Sequence, residues 1–304
     1  MRSRFIMASF QLIDIGANLT DSMYKGLYNG KKYHEEDLND VLSRAKENGV
    51  NRSIITVGHL EDVNPALDLC KSTTNLFCTV GCHPTRCNEF KENPDDYYKQ
   101  LLDIALNNQD KVVAIGECGL DYDREHFCSR ETQKLFFEKQ FDLAIETNLP
   151  MFFHMRNASQ DFIDILKKYR DRIVGGVAHC FTGSVEEARA LTDMGLYVGI
   201  TGCSLKTLDN IEAVKTIPAE FLLVETDAPW CEIKNTHAGF KFIKTKFPTK
   251  KKERWEKGYC VKSRNEPCHL IQIIEILAAV RGEDPRELAD NVFRNTEKLF
   301  FSKV

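Results

Sequence analysis

A chain of 304 residues that is 42 % hydrophobic and 28 % charged has a globular composition, long enough for one large α/β domain or two ordinary ones, and excludes a fibrous or wholly disordered chain. Eleven cysteines, without a secretory leader, an evident disulfide framework or a close C-x-x-C pair, read as reduced thiols in an intracellular compartment, and no apolar run approaches the ~18 residues of a membrane span. The net charge of −4 hides an uneven distribution: ten Lys or Arg between Lys241 and Arg264 face only Glu253 and Glu256, giving that stretch +8 and leaving −12 elsewhere.

The start, "MRSRFIMASF" (1–10), reads as an N-terminal extension rather than a targeting peptide, with Met7 an alternative start. Eight short apolar runs follow: 10–18, 52–58, 76–84, 112–121, 151–156, 176–181, 197–202 and 221–229. Between them lie stretches of helical period or composition, such as "EEDLNDVLSRAKENG" and "SRETQKLFFEKQFDLAIETN". Gly49 and Gly195 stand where a helix end favours a left-handed residue, while Ser129 with Thr132 and Ser184 with Glu187 mark helix starts. Strand, crossover helix and parallel strand repeated eight times predict a single (β/α)8 TIM barrel over 1–304, which ~250 residues suffice to build. A doubly wound open sheet gives the same alternation but ranks second, because the first loop, "IGANLT", lacks a glycine-rich dinucleotide fingerprint. After the eighth run comes the basic insertion, roughly 231–266, expected to be functional or mobile because it shows no obvious core pattern. Two final helices, "EPCHLIQIIEILAAVRG" and "DPRELADNVFRNTEKLF", complete the chain.

Barrel enzymes build their sites at the C-terminal ends of the strands. Unusual polar residues fall there repeatedly: Asp14 and Asn18 after the first run, His83 after the third, Glu117 and Asp121 at the fourth, His154 and Arg156 at the fifth, His179 at the sixth, Glu225 and Asp227 at the eighth. A single strand-end histidine is usually a satisfied polar residue, and Asp121 alone could be a helix cap. Their coincidence on one rim points to one or two divalent cations that lower the pKa of water and clamp a phosphodiester. Arg156, two residues beyond His154, shares its strand face and can grip a phosphate with its two-pronged guanidinium. His83 can donate to a phosphate oxygen or protonate a leaving oxygen. The basic insertion suits a polyanion, with Lys250, Lys251 and Lys252 as phosphate contacts, although a solvated charge run or a nuclear-import signal reads the same way. Cys78, Cys82, His83 and Cys87 lack zinc-finger spacing. Ser204 and Lys206, after the seventh run, are placed for substrate contact, and no G-x-S-x-G elbow or P-loop competes.

The ordered motifs "DIGANL", "GCHP", "GECGLD", "FHMR", "AHCF", "ETDAPW" and "RNEP" resemble the TatD-type deoxyribonucleases of the metal-dependent hydrolase superfamily, from about Leu12 to Phe301, and most of all their eukaryotic branch. The resemblance implies a Mg2+-dependent TIM-barrel nuclease that digests DNA from 3′ to 5′, with roles in DNA repair or apoptotic DNA degradation. It implies Glu117, His154, His179 and Asp227 as metal ligands, with Asp227 also orienting or deprotonating the attacking water. It places His83 and Arg156 at the scissile phosphate, Asp121 in ordering its loop, and Glu266 in supporting the barrel mouth. Many relatives carry D-x-H-x-H at the first strand, where this chain has Gly16 and Asn18. Losing two nitrogen ligands favours Mg2+, with Mn2+ or Zn2+ as substitutes, and brings the occupancy of one metal position into question. The expected partner is DNA, single-stranded or at 3′ ends, in nucleus or cytoplasm, with no membrane and no protein partner. Two other readings stand beside it: an amidohydrolase or aminoacyl-tRNA deacylase on the same barrel, and a nucleic-acid-binding protein impaired in catalysis.

Overall fold

The computed structural model describes residues 10–302, so the extension apart from Phe10, and Met7 with it, lies outside the described residues. The eight apolar runs form eight parallel strands hydrogen-bonded in sequence order: β1 (Leu12–Ala17), β2 (Val50–Ile55), β3 (Leu76–Val80), β4 (Val112–Asp121), β5 (Met151–Arg156), β6 (Gly176–Ala178), β7 (Tyr197–Ile200) and β8 (Leu222–Val224). Closure comes just beyond β8, where Ala228 bridges Ala17, Asn18 N–H donates to Ala228 O (2.6 Å) and Asp227 N–H donates to Gly16 O (2.7 Å). The buried Asp14 carboxylate fastens the same seam, accepting from Thr226 N–H (2.9 Å) and its hydroxyl (2.5 Å). This is the barrel predicted above, and an open doubly wound sheet is excluded.

The crossover helices are α1 (Leu38–Glu47), α2 (Leu60–Lys71), the short α3 (Cys87–Glu92) with α4 (Pro94–Asn107), α5 (Arg130–Thr147), α6 (Ser159–Tyr169), α7 (Val185–Asp193) and α8 (Leu208–Thr216); α9 (Leu270–Arg281) and α10 (Pro285–Thr296) follow the insertion. Their boundaries are written locally. Ser129 caps α5, Ser184 and Glu187 form a reciprocal capping box on α7, and Gly49 and Gly195 adopt φ of +86° and +71° past the ends of α1 and α7.

Side chains alternate along a strand, so two-residue steps run up the barrel interior. Phe152, Val177 and Leu223 belong to an interior apolar cluster with Ile15, Ile54 and Phe300. Two positions further along the same strands stand His154, His179 and Glu225. The pleat that fills the lower barrel with hydrocarbon therefore delivers the polar groups to its mouth.

The insertion proves to be anchored. Arg264, 1 % exposed, grips Asp37 through both terminal nitrogens (2.8 and 2.7 Å) and reaches Glu266 (2.9 Å), which Arg44 holds from the other side (2.9 Å). A buried guanidinium is the core signal that composition conceals, since it counts among the ten basic residues as if it faced solvent. Removing one partner of such a network strands the others. Arg264→Ala is expected to cost ~3–5 kcal/mol of folding stability, read from the midpoint of urea unfolding; a loss below ~1 kcal/mol would show that the network is energetically idle.

Candidate metal centre

Glu117 sits at a bulge of β4, where the pairing with β5 slips between Gly116 and Cys118 and Glu117 N–H donates to Val57 O (2.8 Å). Gly116 has φ +143°, and a Cβ there would stand 2.2 Å from Phe152 O, so only glycine permits β4 to turn this way. Three imidazoles converge on the single oxygen Oε1 of Glu117: His154 Nδ1 at 2.7 Å, His179 Nε2 at 2.8 Å and His83 Nε2 at 3.4 Å. The other nitrogen of His154 faces Asp121 Oδ2 at 3.1 Å, and Asp121 also caps the next turn through Asp123 N–H (3.1 Å).

Three rings on one oxygen crowd its capacity to accept. A carboxylate oxygen has two lone pairs, and a neutral imidazole has one N–H to give. Burial pushes the Glu117 pKa up, but His179 and His83 outweigh it and hold the group well below the usual carboxylate range. Burial pulls His154 and His179 down, yet Asp121 and Glu117 raise the first, and Glu117 and Glu225 lift the second well above an ordinary histidine. The ring protons thus occupy positions where a divalent cation would supply the same charge, and the mixed imidazole and carboxylate donors fit one.

Glu225 lies behind His179, with Oε2 3.4 Å from His179 Nδ1 and Oε1 accepting from Cys180 N–H (2.5 Å). Among the described residues, neither Glu225 Oε2 nor His179 Nδ1 has a hydrogen-bond partner. A carboxylate behind an imidazole fixes the ring so that its other nitrogen points at a metal. Glu225 fits only because two neighbours have no side chain: a Cβ on Gly16 would lie 2.2 Å from Oε2, and one on Gly199 2.4 Å from Oε1. Gly16 and Gly199 thus make room for a buried carboxylate. Gly16→Ala is expected to lose ~1–3 kcal/mol of stability through overpacking, measured by thermal or urea unfolding; a neutral result would mean that Glu225 moves freely aside.

Asn18, the other substituted position, donates from Nδ2 to Asp227 Oδ1 (2.9 Å). Asp227 has φ +51°, uncommon for a residue with a side chain, and burial first, opposed by His179, brings its pKa up to about 6. It lines the same cleft as Glu117, His154 and His179, but the potential ligand atoms it groups with are those of Cys180 and Cys231; the tight group around Glu117 comprises His154 and His179 without it.

The cleft, about 850 Å3, brings together Asn18, His83, Glu117, His154, Arg156, His179 and Asp227. Arg156 is exposed at its mouth, paired with Asp123 (2.9 Å). Thr85 N–H donates to His83 Nδ1 (3.1 Å), so the His83 proton sits on Nε2 facing the cleft. Burial pushes its pKa down to about 3, a state suited to donating a hydrogen bond. Asp14 and Glu266 lie outside, in the barrel seam and the Arg264 network. Lys250 and Lys251 line a separate groove, where Lys250 pairs with Glu256, and Lys252 stands apart from it over Tyr28 and Tyr33. Cys78, Cys82 and Cys87 join no metal-ligating group among the described residues, whereas His83 shares one with Asp121 and His154. Lys206 reaches the cleft, and Ser204 is buried, bonded to Thr201 N–H. Sequence reasoning missed Arg124 and Trp230 in the cleft wall, although an exposed tryptophan directly after a strand-end "ETDAP" was a usable signal.

Comparison with known proteins agrees with this geometry. The TatD related DNase family matches residues 13–301. A Schizosaccharomyces pombe protein named Deoxyribonuclease Tat-D is 43 % identical over 98 % of each chain. The 3'-5' ssDNA/RNA exonuclease TatD of Salmonella typhimurium is 36 % identical over 95 % of this chain and 98 % of its own. The crystal structure of a hydrolase TatD family protein from Entamoeba histolytica superimposes with a TM-score of 0.92 at 40 % identity, over 97 % of this chain and 99 % of that one.

Proposed function

The chain belongs to the TatD-related DNase family, and from that premise we propose that its cleft hydrolyses phosphodiester bonds of DNA, taking single strands from their 3′ ends. The observation that carries the reading is the convergence of three imidazoles on one oxygen of Glu117. Glu117, His154, His179 and Asp227 would hold a divalent cation, Mg2+ first, with Mn2+ and Zn2+ natural competitors for the imidazoles. Such an ion supplies Lewis-acid stabilisation of charge on a phosphoryl oxygen.

The remaining chemistry falls to the chain. Asp227, its Oδ1 tied by Asn18, presents Oδ2 to orient and deprotonate the attacking water. Neutral His83 donates its Nε2 proton to a phosphate oxygen; of the two roles expected for it, the Thr85 hydrogen bond favours this one. Arg156 and Lys206 are cations at the cleft wall able to hold the phosphates on either side. Trp230, 49 % exposed, offers a ring on which the terminal base stacks, and Trp230→Ala is expected to weaken KM by about 1–3 kcal/mol with kcat kept; an unchanged KM removes this role. The lysines at 250–252 would touch phosphates further along the strand. Because Gly16 and Asn18 stand where the resemblance expects a histidine pair, the reading is of one tightly held cation rather than two.

The test is digestion of 3′-labelled and 5′-labelled single strands, beside charged tRNA and a simple amide, with Mg2+ and with chelator. Stepwise loss from the 3′ end only with the metal is expected. Amide or aminoacyl ester cleavage without DNA digestion would overturn the proposal, as would DNA binding without any product.

A further inference from the structure

Three thiols meet in the wall of the cleft. Cys180 follows β6, Cys203 follows β7 and Cys231 follows β8, so their proximity is a product of the barrel and not of any local motif. Cys231 Sγ stands 3.7 Å from Cys180 Sγ, 3.0 Å from Cys203 Sγ and 3.3 Å from Asp227 Oδ2. All three cysteines are partly exposed in the cleft wall, unlike the other eight, which are buried.

We infer that Cys180 and Cys231, with the Asp227 carboxylate, bind a soft divalent cation of the Zn2+ or Cd2+ class beside the imidazole and carboxylate centre. The dimensions fit. Two sulfurs each about 2.3 Å from a tetrahedral ion stand about 3.8 Å apart, and a sulfur and a carboxylate oxygen about 3.5 Å; the Cys180 to Cys231 and Cys231 to Asp227 separations match these edges. Cys203, 3.0 Å from Cys231, stands outside the group that Cys180, Asp227 and Cys231 form and would have to move to add a third thiol. Cys180, Asp227 and Cys231 all carry left-handed backbone, φ +46°, +51° and +54°. Non-glycine residues seldom adopt it, and here it fixes the three donors in advance of any ligand. A disulfide between Cys203 and Cys231 would use two of the thiols and leave Cys180 and the carboxylate unexplained. Thiolates select soft ions, whereas the Glu117 centre offers only nitrogen and oxygen.

One consequence rests on the reading proposed above: if Asp227 serves hydrolysis, an ion held by the thiols withdraws it, and soft metals inhibit a Mg2+-supported reaction. Binding itself is tested independently of activity. Reduced, metal-stripped full-length protein is titrated with Cd2+ while ultraviolet sulfur-to-cadmium charge-transfer absorbance is followed, a signal that histidine and carboxylate ligands do not give. The expected result is a band saturating at one ion per chain, reversed by Zn2+, retained in Glu117→Gln and lost in Cys180→Ser/Cys231→Ser, with thermal unfolding showing that the variant is folded. Each single serine variant should show a weaker band. A band of native strength in the double variant, or none in the native chain, overturns the inference. In the hydrolysis assay, Cd2+ inhibition that the double variant escapes supports the shared carboxylate; equal inhibition of both refutes the link while leaving the binding result standing.

Discussion

Glu117→Gln is expected to lower kcat/KM on single-stranded DNA at least about 10^3-fold, equivalent to ~4 kcal/mol of transition-state stabilisation. The substitution keeps shape and removes charge. Three imidazole nitrogens now converge on Glu117 Oε1 within 3.4 Å; an amide brings one weaker acceptor and two donors, which oppose any ring N–H pointing the same way. His154 and His179 lose one of the carboxylates that lift their pKa values, Asp121 and Glu225 remaining, and a divalent cation would lose an oxygen of its cradle. The strands and helices do not depend on this contact, because the interior cluster of Ile15, Phe152, Val177 and Leu223 lies below it. Thermal unfolding should therefore change little while equilibrium dialysis shows weakened metal binding. Chelator should bring the native chain down to the variant's rate. A variant within tenfold of native, or a native rate indifferent to chelator, sinks the account of the metal centre.

The parts that could be read in advance and the parts that could not differ in how far apart their partners lie in the chain. Each barrel strand announces itself as an apolar run, and His154 and His179 follow interior Phe152 and Val177 by two residues, so the pleat alone predicts where they point. Helix ends at Ser184 and Gly195 are equally local. Nothing local says that Glu225 needs Gly16, 209 positions earlier, to have no side chain, or that Asn18 will clamp Asp227. The same holds for Arg264, whose charge suggested a polyanion contact and whose burial between Asp37 and Glu266 appears only in three dimensions. The convergence of Glu117, His154 and His179 was legible as residue types on one rim; the offset of Asp227 toward Cys231 depends on left-handed backbone after β8, which no periodicity encodes.

Asp227→Asn is expected to lower kcat by about 10^2- to 10^4-fold, the range for loss of a positioned general base, with little change in KM. The geometry separates the two parameters. Asp227 is half-buried in the cleft beside Asn18, whereas the groups assigned to the DNA strand, Arg156, Lys206 and Trp230, are exposed. Substrate should still dock when the carboxylate becomes an amide, and the loss should fall on the chemical step. Asn18→Ala provides the graded comparison. It leaves the carboxylate but frees Oδ1 from its 2.9 Å tether, and removing an outer partner of a ligating carboxylate typically costs about 10- to 100-fold. Restoration by Asn18→Gln would be poor, since one added methylene displaces the donor. A merely structural Asp227, serving only the barrel seam through its backbone bond to Gly16 O, a bond that asparagine also makes, predicts the opposite pattern: kcat intact in Asp227→Asn. Active-site titration with single-turnover kinetics distinguishes the two, and a native single-turnover rate in the folded variant would remove Asp227 from the hydrolytic step.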